Sequence, residues 1–475
     1  MTGAIRFGTD GWRGVVGEDF TFANVRLCAE GVARFYRDRR NSGAVVVGYD
    51  TRFQSAAFAR SAAEVIVAHG FEALLSRESV PTPVICYNVV HRGAVGGVAI
   101  TASHNSAEWN GFKCRSALGS SEPDEHVAAI ERHLDLMPDA EAVGTLHPGG
   151  VVRHGGISEE DFKGPYLRHV GSLVDLEALR AAKLHVVVDA MHGAGGGYLP
   201  TLLRGGGMQV TEIRGAPNPA FPGMHNPEPI ARNLGPLAQA VKNAGADVGV
   251  AFDGDADRLG VVDDSGVYLT SIQVGPLLAY LLLEHQKRRG LLVKSLTASS
   301  MFWRLGERYG VPVRETKVGF KYIAPELNAT PGWLMGAEES GGYAFQGHVP
   351  ERDGLMSALL FLELMAREGK RPSELVRRLF SLVGPHHYDR LDLAFPADRR
   401  AAILDRAARA EPSNLAGMSV ERRDALDGVR FTLAGGAWLV IRFSGTEPLL
   451  RIYAEAESPG RVRDLLQAGR ELTGL

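Results

Sequence analysis

Short apolar runs alternate with segments of helical periodicity along residues 1–384. A short apolar run bounded by polar turns is typical of a buried strand, and strands that alternate with helices are typical of largely parallel sheets. The predicted strands are 44–48, 97–100, 184–188, 248–252, 290–293 and 333–336. The predicted helices are 23–38, 55–69, 123–136, 233–244, 274–284, 300–309, 354–367 and 372–380.

This pattern occurs three times, although the residues themselves differ. Each block opens on an apolar strand and contains a later strand that ends in a dense polar loop. The three loops are 101–105 (Thr-Ala-Ser-His-Asn), 253–258 (Asp-Gly-Asp-Ala-Asp-Arg) and 338–342 (Glu-Glu-Ser-Gly-Gly). Ligands of open α/β sheets bind at the carboxyl ends of the strands, so we expect three similar domains that face one central cleft.

The last block has a different pattern. Strand-like runs at 391–395, 429–433, 437–443 and 450–455, with a helix after the first and another at 460–472, predict an α+β domain with an antiparallel sheet. The fold class is therefore α/β: three similar α/β domains with mixed, largely parallel sheets, and a C-terminal α+β domain. A chain of 475 residues is too long for one core. The expected domain limits are 1–145, 155–263, 264–384 and 385–475.

Composition and charge narrow the class of protein. A net charge of -3 gives no basic footprint for nucleic acid or an anionic membrane. Three unclustered cysteines indicate a reducing compartment and no zinc site. Arg6, Asp10 and Arg13 interrupt any apolar signal sequence, and the apolar stretch 274–283 is about half of a membrane span. We expect a soluble cytoplasmic protein without nucleic-acid or membrane partners.

Three alternate aspartates give the strongest chemical signal. Asp253, Asp255 and Asp257 would repel one another unless a cation held them, and oxygen ligands favour a hard ion such as Mg²⁺. An EF-hand is excluded because its sixth and twelfth positions would be Arg258 and Asp264, and because the loop follows a strand. Two alternatives stay open: a phosphatase with Asp253 as nucleophile, and a solvated acidic turn.

A serine and a histidine lie in the loop that follows the predicted strand 97–100. Ser103 is placed where a nucleophile or a phosphate carrier could lie, although a Ser-His pair in a loop is more often a solvated turn. His104 and Lys113 follow closely in sequence and are the first candidates for general acid or base. Near the N-terminus, Arg13 belongs to a glycine-rich segment that predicts either a simple turn or an arginine beside an anion.

Two further loops suggest phosphate and sugar binding. Arg442, Ser444, Gly445 and Thr446, with Arg451 beyond, offer guanidinium forks and backbone N–H groups for a phosphate, although a hairpin with surface arginines is the alternative.

The loop 338–342 offers acceptors for sugar hydroxyls through Glu338 and Ser340, and a helix N-terminus is the alternative. Lys321, upstream, either contacts a phosphate, moves a proton, or is simply solvated.

Taken together, these motifs resemble the α-D-phosphohexomutase family, which includes phosphoglucomutase and phosphomannomutase. The resemblance covers the whole chain, with 101–105, 253–258, 338–342 and 442–446 in the family's order. One departure is Ser106, where the family usually has Pro; this residue could loosen the serine loop but removes no catalytic group.

The resemblance implies four domains around a deep cleft and a phosphoryl group on Ser103 in the active enzyme. One Mg²⁺ per chain would lie between that phosphate, Asp253, Asp255 and Asp257. His104, Lys113, Arg13 and Arg258 would surround the phosphoserine. The substrate would be held by Lys321, Glu338, Ser340, Arg442, Ser444, Gly445, Thr446 and Arg451.

The implied activity is that of an isomerase which interconverts glucose 1-phosphate and glucose 6-phosphate through glucose 1,6-bisphosphate. Glu339 and Gly342 stand where glucosamine-phosphate mutases usually carry Gln and His, and Phe320 where bispecific mannose/glucose mutases often carry His. We therefore expect glucose phosphate, with a phosphomannomutase or a bispecific enzyme as alternatives and a monomer or weak dimer as the state. A Mg²⁺-dependent sugar-phosphate phosphatase and a non-catalytic sugar-phosphate sensor are the competing classes.

Overall fold

A computed structural model of the chain describes residues 5–8, 10–137, 156–443 and 449–475. These residues form four sheets that follow one another along the chain, one in each domain. Helices cover the sheets of the first three domains. Short 3₁₀ turns lie at Ala231–Asn233, Ala397–Arg399 and Ala434–Gly436. Within these residues, no helix is both long and apolar enough to cross a membrane.

The first sheet has six strands, and four helices belong to the same part of the chain. The elements are β1 (Trp12–Val15), α1 (Phe22–Asp38), β2 (Ala44–Tyr49), α2 (Ser55–Ala68), β3 (Glu72–Ser76), α3 (Thr82–His91), β4 (Gly96–Ile100), β5 (Trp109–Ser116), α4 (Asp124–Asp135) and β6 (Ile157–Glu160). The strand order is β1-β5-β4-β2-β3-β6. Pairs from β4 to β6 are parallel, and β5 and β1 add antiparallel strands at the other edge.

The N-terminal segment corrects one of the sequence expectations. The glycine-rich stretch was expected to be a turn, but Trp12–Val15 is a strand paired with β5, itself an unpredicted strand. The partners are about a hundred residues apart, so local composition carries no sign of their pairing. Arg13 lies opposite Gly111 in this register, which brings the N-terminus beside Lys113.

The second sheet has five strands in the order β11-β10-β9-β7-β8. The elements are α5 (Lys163–Ser172), α6 (Leu176–Ala181), β7 (His185–Asp189), α7 (Tyr198–Leu203), β8 (Gln209–Ile213), α8 (Gly235–Ala244), β9 (Val248–Phe252), β10 (Leu259–Asp263) and β11 (Tyr268–Leu269). β9, β7 and β8 run parallel, and β10 and β11 are antiparallel additions. β6 pairs with the first sheet although it lies beyond residue 145, the expected end of the first domain. β11 pairs with the second sheet although it lies beyond residue 263, the expected end of the second domain. The expected domain limits stay a prediction.

The third sheet has four strands in the order β13-β12-β14-β15, parallel except for β15. The elements are α9 (Ser271–Tyr280), continued by a π-helical turn at Leu281–His285, β12 (Leu291–Ser295), α10 (Met301–Tyr309), β13 (Val313–Thr316), α11 (Phe320–Ala329), β14 (Trp333–Ala337), β15 (Tyr343–Phe345), α12 (Gly354–Glu368) and α13 (Pro372–Val383).

The fourth sheet is antiparallel throughout, in the order β16-β21-β20-β19-β18-β17. The elements are β16 (His387–Ala394), α14 (Arg400–Arg409), β17 (Asn414–Leu415), β18 (Met418–Asp424), β19 (Val429–Leu433), β20 (Trp438–Phe443), β21 (Leu449–Ala456) and α15 (Pro459–Thr473). β18 escaped prediction because it is polar and exposed at most positions. The predicted fold class is otherwise confirmed: three mixed α/β sheets and a C-terminal α+β sheet.

Buried apolar side chains join the first three domains, and a smaller apolar cluster joins the third domain to the fourth. One apolar cluster runs from α3 through the second sheet to the helices α9 and α12 of the third domain. The fourth domain has its own cluster between its sheet and α15, around Phe431 and Leu439. Leu296 of the third domain packs with Trp438 and Val440 of the fourth. The fourth domain is therefore held to the others by polar contacts and by this small apolar cluster.

A chain of aromatic and imidazole groups lies where the first three domains meet. His169 Nε2 is 3.1 Å from His348 Nδ1, and His348 Nε2 is 2.8 Å from Asp353 Oδ2. Tyr166 donates its hydroxyl to the same carboxylate oxygen at 2.7 Å, and Tyr87 stacks on His169 with ring centroids 4.5 Å apart. Burial, reinforced by the neighbouring His348, lowers the pKa of His169 to about 4.

We predict that this histidine makes the protein less stable in mild acid. The unfolded chain protonates a histidine near pH 6.5, whereas folded His169 resists protonation until about pH 4, so stability falls as pH falls through that window. In His169→Asn, the drop in thermal unfolding midpoint between pH 7 and pH 5 should be smaller than in the wild type. His133→Asn, at a surface histidine beside Asp38, should behave as the wild type. Equal drops in the wild type and in His169→Asn would contradict the prediction.

Candidate active site

Ser103 lies directly after β4, with its backbone in the left-handed region at φ +53°. Its Oγ is 3.0 Å from Asp253 Oδ2 and 3.3 Å from His104 Nδ1, and its side chain is buried. Its N–H donates to Thr101 Oγ1 at 2.9 Å. Gly254 of the aspartate loop packs against the Ser103 carbonyl so closely that a Cβ there would be 2.5 Å from the oxygen. The serine loop and the aspartate loop are therefore in direct contact.

The aspartate triad, Asp253, Asp255 and Asp257, follows β9 and is fully buried. One carboxylate oxygen from each residue lies within 4.8 Å of the others. In the part of the chain that the structure describes, Asp255 Oδ1 and Asp257 Oδ1 have no hydrogen-bond partner, and Asp257 Oδ2 is in an ion pair with Arg352 Nη2 at 2.9 Å. Buried carboxylates without partners are costly, and three oxygen donors suit a hard divalent cation. The donor set therefore fits the expected Mg²⁺.

Burial and mutual repulsion shift the pKa values of the carboxyl groups in the triad. Burial, followed by the charges of Asp257 and Asp255, raises the pKa of Asp253 well above its usual value. Burial raises the pKa of Asp257 too. Burial acts in the same direction on Asp255, but Lys113 and the Thr82 hydroxyl outweigh it and lower that pKa. A bound cation would remove the tendency of Asp253 and Asp257 to take up protons.

Lys113, on β5, is buried under the triad. Its Nζ is 2.8 Å from Asp10 Oδ2 and 3.1 Å from Asp255 Oδ2. Burial would lower the pKa of Lys113, but Asp10, Asp255 and a further triad carboxylate outweigh it and raise the pKa. Asp10 is itself shared with Arg115 and Arg352, each 3.1 Å away. Asp10 therefore pairs with three cationic side chains. The sequence analysis assigned it no functional role.

Arg352 connects the triad to the predicted sugar-binding loop, residues 338–342, which is called the sugar loop below. Its Nη2 is 2.9 Å from Asp257 Oδ2 and its Nη1 is 3.6 Å from Glu338 Oε2. Sequence reasoning missed this residue too. A signal was present, since Glu351, Arg352 and Asp353 form a charged triplet directly before the apolar helix α12. Charged side chains at the start of a buried helix need partners, which indicates a polar site nearby.

Three predicted residues line the cleft above Ser103: His104, Arg13 and Arg258. Burial, followed by the charges of Arg258 and Arg13, holds the pKa of His104 well below its usual value. Arg13 Nη1 donates to Asn105 Oδ1 at 2.5 Å, and Arg258 Nη1 is 3.1 Å from Glu228 Oε1. This wall is therefore positively charged while the imidazole is neutral at pH 7.

The sugar loop is a tight turn between β14 and β15. The Glu338 N–H donates to the Gly342 carbonyl at 3.0 Å, and Ser340 Oγ donates to Glu338 Oε2 at 3.4 Å. Burial raises the pKa of Glu338 although Arg352 opposes it. The helix alternative for this segment was wrong, because the loop joins two strands. Both Glu338 and Ser340 line the cleft.

The neighbouring Glu339 turns towards the fourth domain. Its Oε1 accepts a hydrogen bond from Tyr388 Oη at 2.5 Å and lies 3.2 Å from Arg390 Nη1. Both partners belong to β16. The sugar loop therefore fastens the third domain to the fourth.

The fourth domain contributes the two predicted arginines to the cleft, together with Arg390. Arg442 Nε is 2.8 Å from Asp427 Oδ2, and Arg451 Nε is 3.6 Å from Asp392 Oδ1. Residues 444–446, which complete the predicted phosphate loop, lie outside the described residues. Asp427 also accepts the N–H of Val318 at 3.0 Å, which ties this wall to the third domain.

One cleft of about 390 Å³ unites the predicted residues. It is lined by side chains from all four domains, including Lys321, whose Nζ lies 3.0 Å from Asp124 Oδ1. Ser103, Lys113 and the aspartate triad do not line it but are buried beside residues that do, Ser103 next to His104 and Asp257 next to Arg352. The predicted residues that line it are Arg13, His104, Arg258, Lys321, Glu338, Ser340, Arg442 and Arg451.

Comparison with known families agrees with this geometry along the whole chain. Residues 4–137, 164–266 and 271–383 match the models of phosphoglucomutase/phosphomannomutase alpha/beta/alpha domains I, II and III. Residues 398–472 match the C-terminal domain of the same family. The chain belongs to the phosphoglucomutase/phosphomannomutase family. The predicted resemblance to the α-D-phosphohexomutases is thereby confirmed, and with it the assignment of the chain to the isomerases.

Individual phosphohexomutases are similar over nearly their full lengths. A phosphoglucomutase/phosphomannomutase of Thermococcus kodakarensis is 34% identical over 469 residues, 98% of each chain. A protein named probable phosphoglucosamine mutase, from Methanothermobacter thermautotrophicus, is 32% identical over 96% of this chain and 95% of its own. The crystal structure of a protein provisionally described as a phosphomannomutase, from Thermus thermophilus, superposes with a TM-score of 0.87 at 37% identity, covering 100% of both chains.

We predict that Mg²⁺ raises the thermal unfolding midpoint, because a ligand that binds the folded state alone stabilises it. Asp257→Asn should abolish most of this rise, since Asp257 contributes one of the three clustered carboxylate oxygens and its Oδ1 lacks a hydrogen-bond partner in the described residues. Asp264→Asn, at a carboxylate paired with Arg371 outside the cleft, should keep it. No Mg²⁺-dependent rise in the wild type, or an equal rise in Asp257→Asn, would contradict a metal site at the triad.

Proposed function

We propose that this phosphohexomutase interconverts glucose 1-phosphate and glucose 6-phosphate through a phosphoryl group carried by Ser103. The observation that supports this most strongly is the position of Ser103 Oγ, 3.0 Å from Asp253 Oδ2 and 3.3 Å from Nδ1 of His104, which lines the cleft. The arginines Arg442 and Arg451 line the same cleft and come from another domain. Two separate phosphate-binding regions in one cleft suit a substrate that carries a phosphate at either end.

The aspartate triad would hold one Mg²⁺ together with an oxygen of the Ser103 phosphate. The ion would supply charge neutralisation for the phosphoryl group during transfer. Around it, Lys113, Arg13 and Arg258 neutralise further negative charge. Phosphoryl transfer needs mainly positioning and charge stabilisation, which these buried cations provide.

Each transfer breaks one P–O bond as it forms another. A free hydroxyl oxygen of the bound hexose phosphate attacks the phosphorus on Ser103. The new P–O bond to the sugar forms as the P–Oγ bond breaks, and the serine oxygen keeps the electron pair of that bond and takes up the proton that the sugar hydroxyl gives up. The hexose bisphosphate then turns over, and Ser103 Oγ attacks its other phosphorus. The bond from that phosphorus to the sugar oxygen breaks, the sugar oxygen takes up the proton that Ser103 gives up, and the product leaves. Glucose 1,6-bisphosphate is therefore both intermediate and activator.

The proton of the attacking hydroxyl requires an acceptor beside Ser103. His104 and Lys113 are the two candidates that the sequence suggested. His104 lines the cleft and lies 3.3 Å from Ser103 Oγ, whereas Lys113 is buried with its amine between Asp10 and Asp255. Position therefore favours His104 for proton transfer and Lys113 for charge neutralisation.

Glu338 and Ser340 orient the hexose. Their carboxylate and hydroxyl line the cleft and accept hydrogen bonds from vicinal sugar hydroxyls. Arg442, Arg451 and residues 444–446 hold the phosphate that is not reacting, and Lys321 contacts it from the third domain.

Glucose is favoured over other hexoses by the composition of the sugar loop. Glu339 occupies the position at which glucosamine-phosphate mutases usually carry Gln, and its carboxylate is already bound by Tyr388 and Arg390. Phosphomannomutase activity, alone or together with phosphoglucomutase activity, is the alternative. Relatives named phosphoglucosamine mutase make glucosamine phosphate a necessary part of the test.

We predict that the purified protein converts glucose 1-phosphate to glucose 6-phosphate with Mg²⁺ and a trace of glucose 1,6-bisphosphate. A coupled assay should give a higher kcat/KM for glucose 1-phosphate than for mannose 1-phosphate or glucosamine 1-phosphate. Intact mass should show one phosphate on the protein, and Ser103→Ala should lack both the phosphate and nearly all activity. The removal of a covalent carrier costs orders of magnitude in rate.

Ser106→Ala is the matched control, since its hydroxyl binds Glu108 rather than any residue that lines the cleft. It should retain activity close to the wild type. No conversion of any of the three hexose phosphates would exclude a mutase. Release of inorganic phosphate that survives in Ser103→Ala would instead support the phosphatase, with Asp253 as nucleophile.

A further inference from the structure

One buried guanidinium holds the loop that carries Ser103. Arg52 follows β2 and is 3% exposed. Its Nη2 donates to the carbonyl of Ser103 at 2.7 Å and to that of Asn105. Its Nη1 donates to the carbonyls of Ser106, at 2.7 Å, and Trp109, at 2.9 Å. A single side chain therefore satisfies four carbonyls of the seven-residue turn 103–109.

Arg52 is itself fixed from the other side. Its Nε lies 3.2 Å from Asp50 Oδ2, and Asp50 Oδ1 accepts the Arg52 N–H and the Ser55 hydroxyl, each at 2.9 Å. The guanidinium also lies over the ring of Phe221, 5.0 Å from its centroid, so the second domain covers it. A guanidinium held on all sides has little freedom to move, and so the carbonyls that it binds are held too.

The turn needs such a constraint because Ser103 is strained. A non-glycine residue at φ +53° is held in a sparsely populated conformation that persists only when its surroundings enforce it. The Ser103 N–H donates to Thr101 Oγ1, and the side chain of Asn105 accepts a hydrogen bond from Arg13. The hydrogen bond from Arg52 to the Ser103 carbonyl is the contact that directs Oγ towards Asp253.

We propose that Arg52 is a positioning residue for the phosphoryl transfer, an inference that rests on the function proposed above. Its guanidinium contacts carbonyls and Asp50, not the Ser103 hydroxyl, and it does not line the cleft. It acts through the turn, by setting the distance and direction from Ser103 Oγ to the aspartate triad. The sugar and phosphate contacts in the third and fourth domains do not depend on it.

The geometry requires a planar fork rather than a charge alone. Two N–H₂ groups spread over four carbonyls, and one N–H faces a carboxylate, which a lysine ammonium cannot reproduce from one nitrogen. Arg52→Lys keeps the charge beside Asp50 but loses the simultaneous hold on both ends of the turn. A displacement of about 1 Å at a reacting group costs on the order of 100-fold in rate.

Steady-state kinetics of Arg52→Lys should separate positioning from stability. We expect kcat to fall on the order of 100-fold, while KM for glucose 1-phosphate stays within about threefold, because the groups that bind the hexose are untouched. Methylguanidinium should restore part of kcat in Arg52→Ala. Arg60→Lys is the matched control, since Arg60 belongs to the adjacent helix α2 and pairs at the surface with Glu159. It should change neither parameter.

Hydrogen–deuterium exchange gives a readout that does not require turnover. The amides of Asn105 and Trp109 are bonded within the turn, to the carbonyls of Ala102 and Ser106. Peptides that contain these amides should exchange faster in Arg52→Lys than in the wild type, while peptides of the fourth domain exchange equally. Unchanged exchange in the turn would overturn the proposal. This test stays valid if the wild type converts no hexose phosphate, so failure of the positioning role and failure of the proposed function can be told apart.

In an active wild type, two other results would overturn it. One is an Arg52→Lys variant with wild-type kcat. The other is a loss of kcat that is matched by a rise in KM, with a lower unfolding midpoint and no rescue by methylguanidinium, since that pattern describes general destabilisation. Faster exchange in the turn, a selective loss of kcat and rescue by methylguanidinium together support Arg52 as the positioning residue.

Discussion

The burial of three carboxylates at the end of β9 is the constraint on which the rest of the structure depends. Charges out of water are costly unless they are paired, and the aspartate triad cannot neutralise itself. Its partners come from separate parts of the chain: Lys113 from the first domain, Arg258 from the aspartate loop and Arg352 from the third domain. Asp10 then binds Lys113 and Arg352 together. The charge balance therefore exists only when the first three domains are packed against one another.

The fourth domain is attached in a different manner. The first three domains share one large apolar cluster, whereas the fourth has its own core and meets the third through a small apolar cluster and through polar contacts of Glu339 with Tyr388 and Arg390. Polar contacts of this kind exchange more readily with water than a common apolar core does. Ser103 thus belongs to the part with the large shared core, while the predicted phosphate-binding arginines belong to the part with the smaller interface. For the mechanism proposed above, this division suits a substrate that must enter, turn over and leave.

Much of this arrangement could be predicted from the sequence, and the two strands that carry Arg13 and Lys113 escaped prediction for a common reason. The apolar strands before 101–105, 253–258 and 338–342 were predicted because burial on both faces leaves a continuous apolar run. β1 and β5 were missed because each has polar side chains, such as Arg13 and Lys113, that are buried by contacts distant in sequence. Charged residues inside a fold are invisible to periodicity, since their partners are chosen by tertiary structure.

The sequence by itself determined which chemical groups the protein has and in which loops: the serine, the aspartate triad, the sugar loop and the arginines. That information is local, because strand ends and turns follow from the order of apolar and small residues. Only the tertiary structure decided how the groups are supported. It buried Lys113 between two carboxylates and placed Arg52 behind the serine turn, because such contacts form between segments that meet only when the sheets assemble.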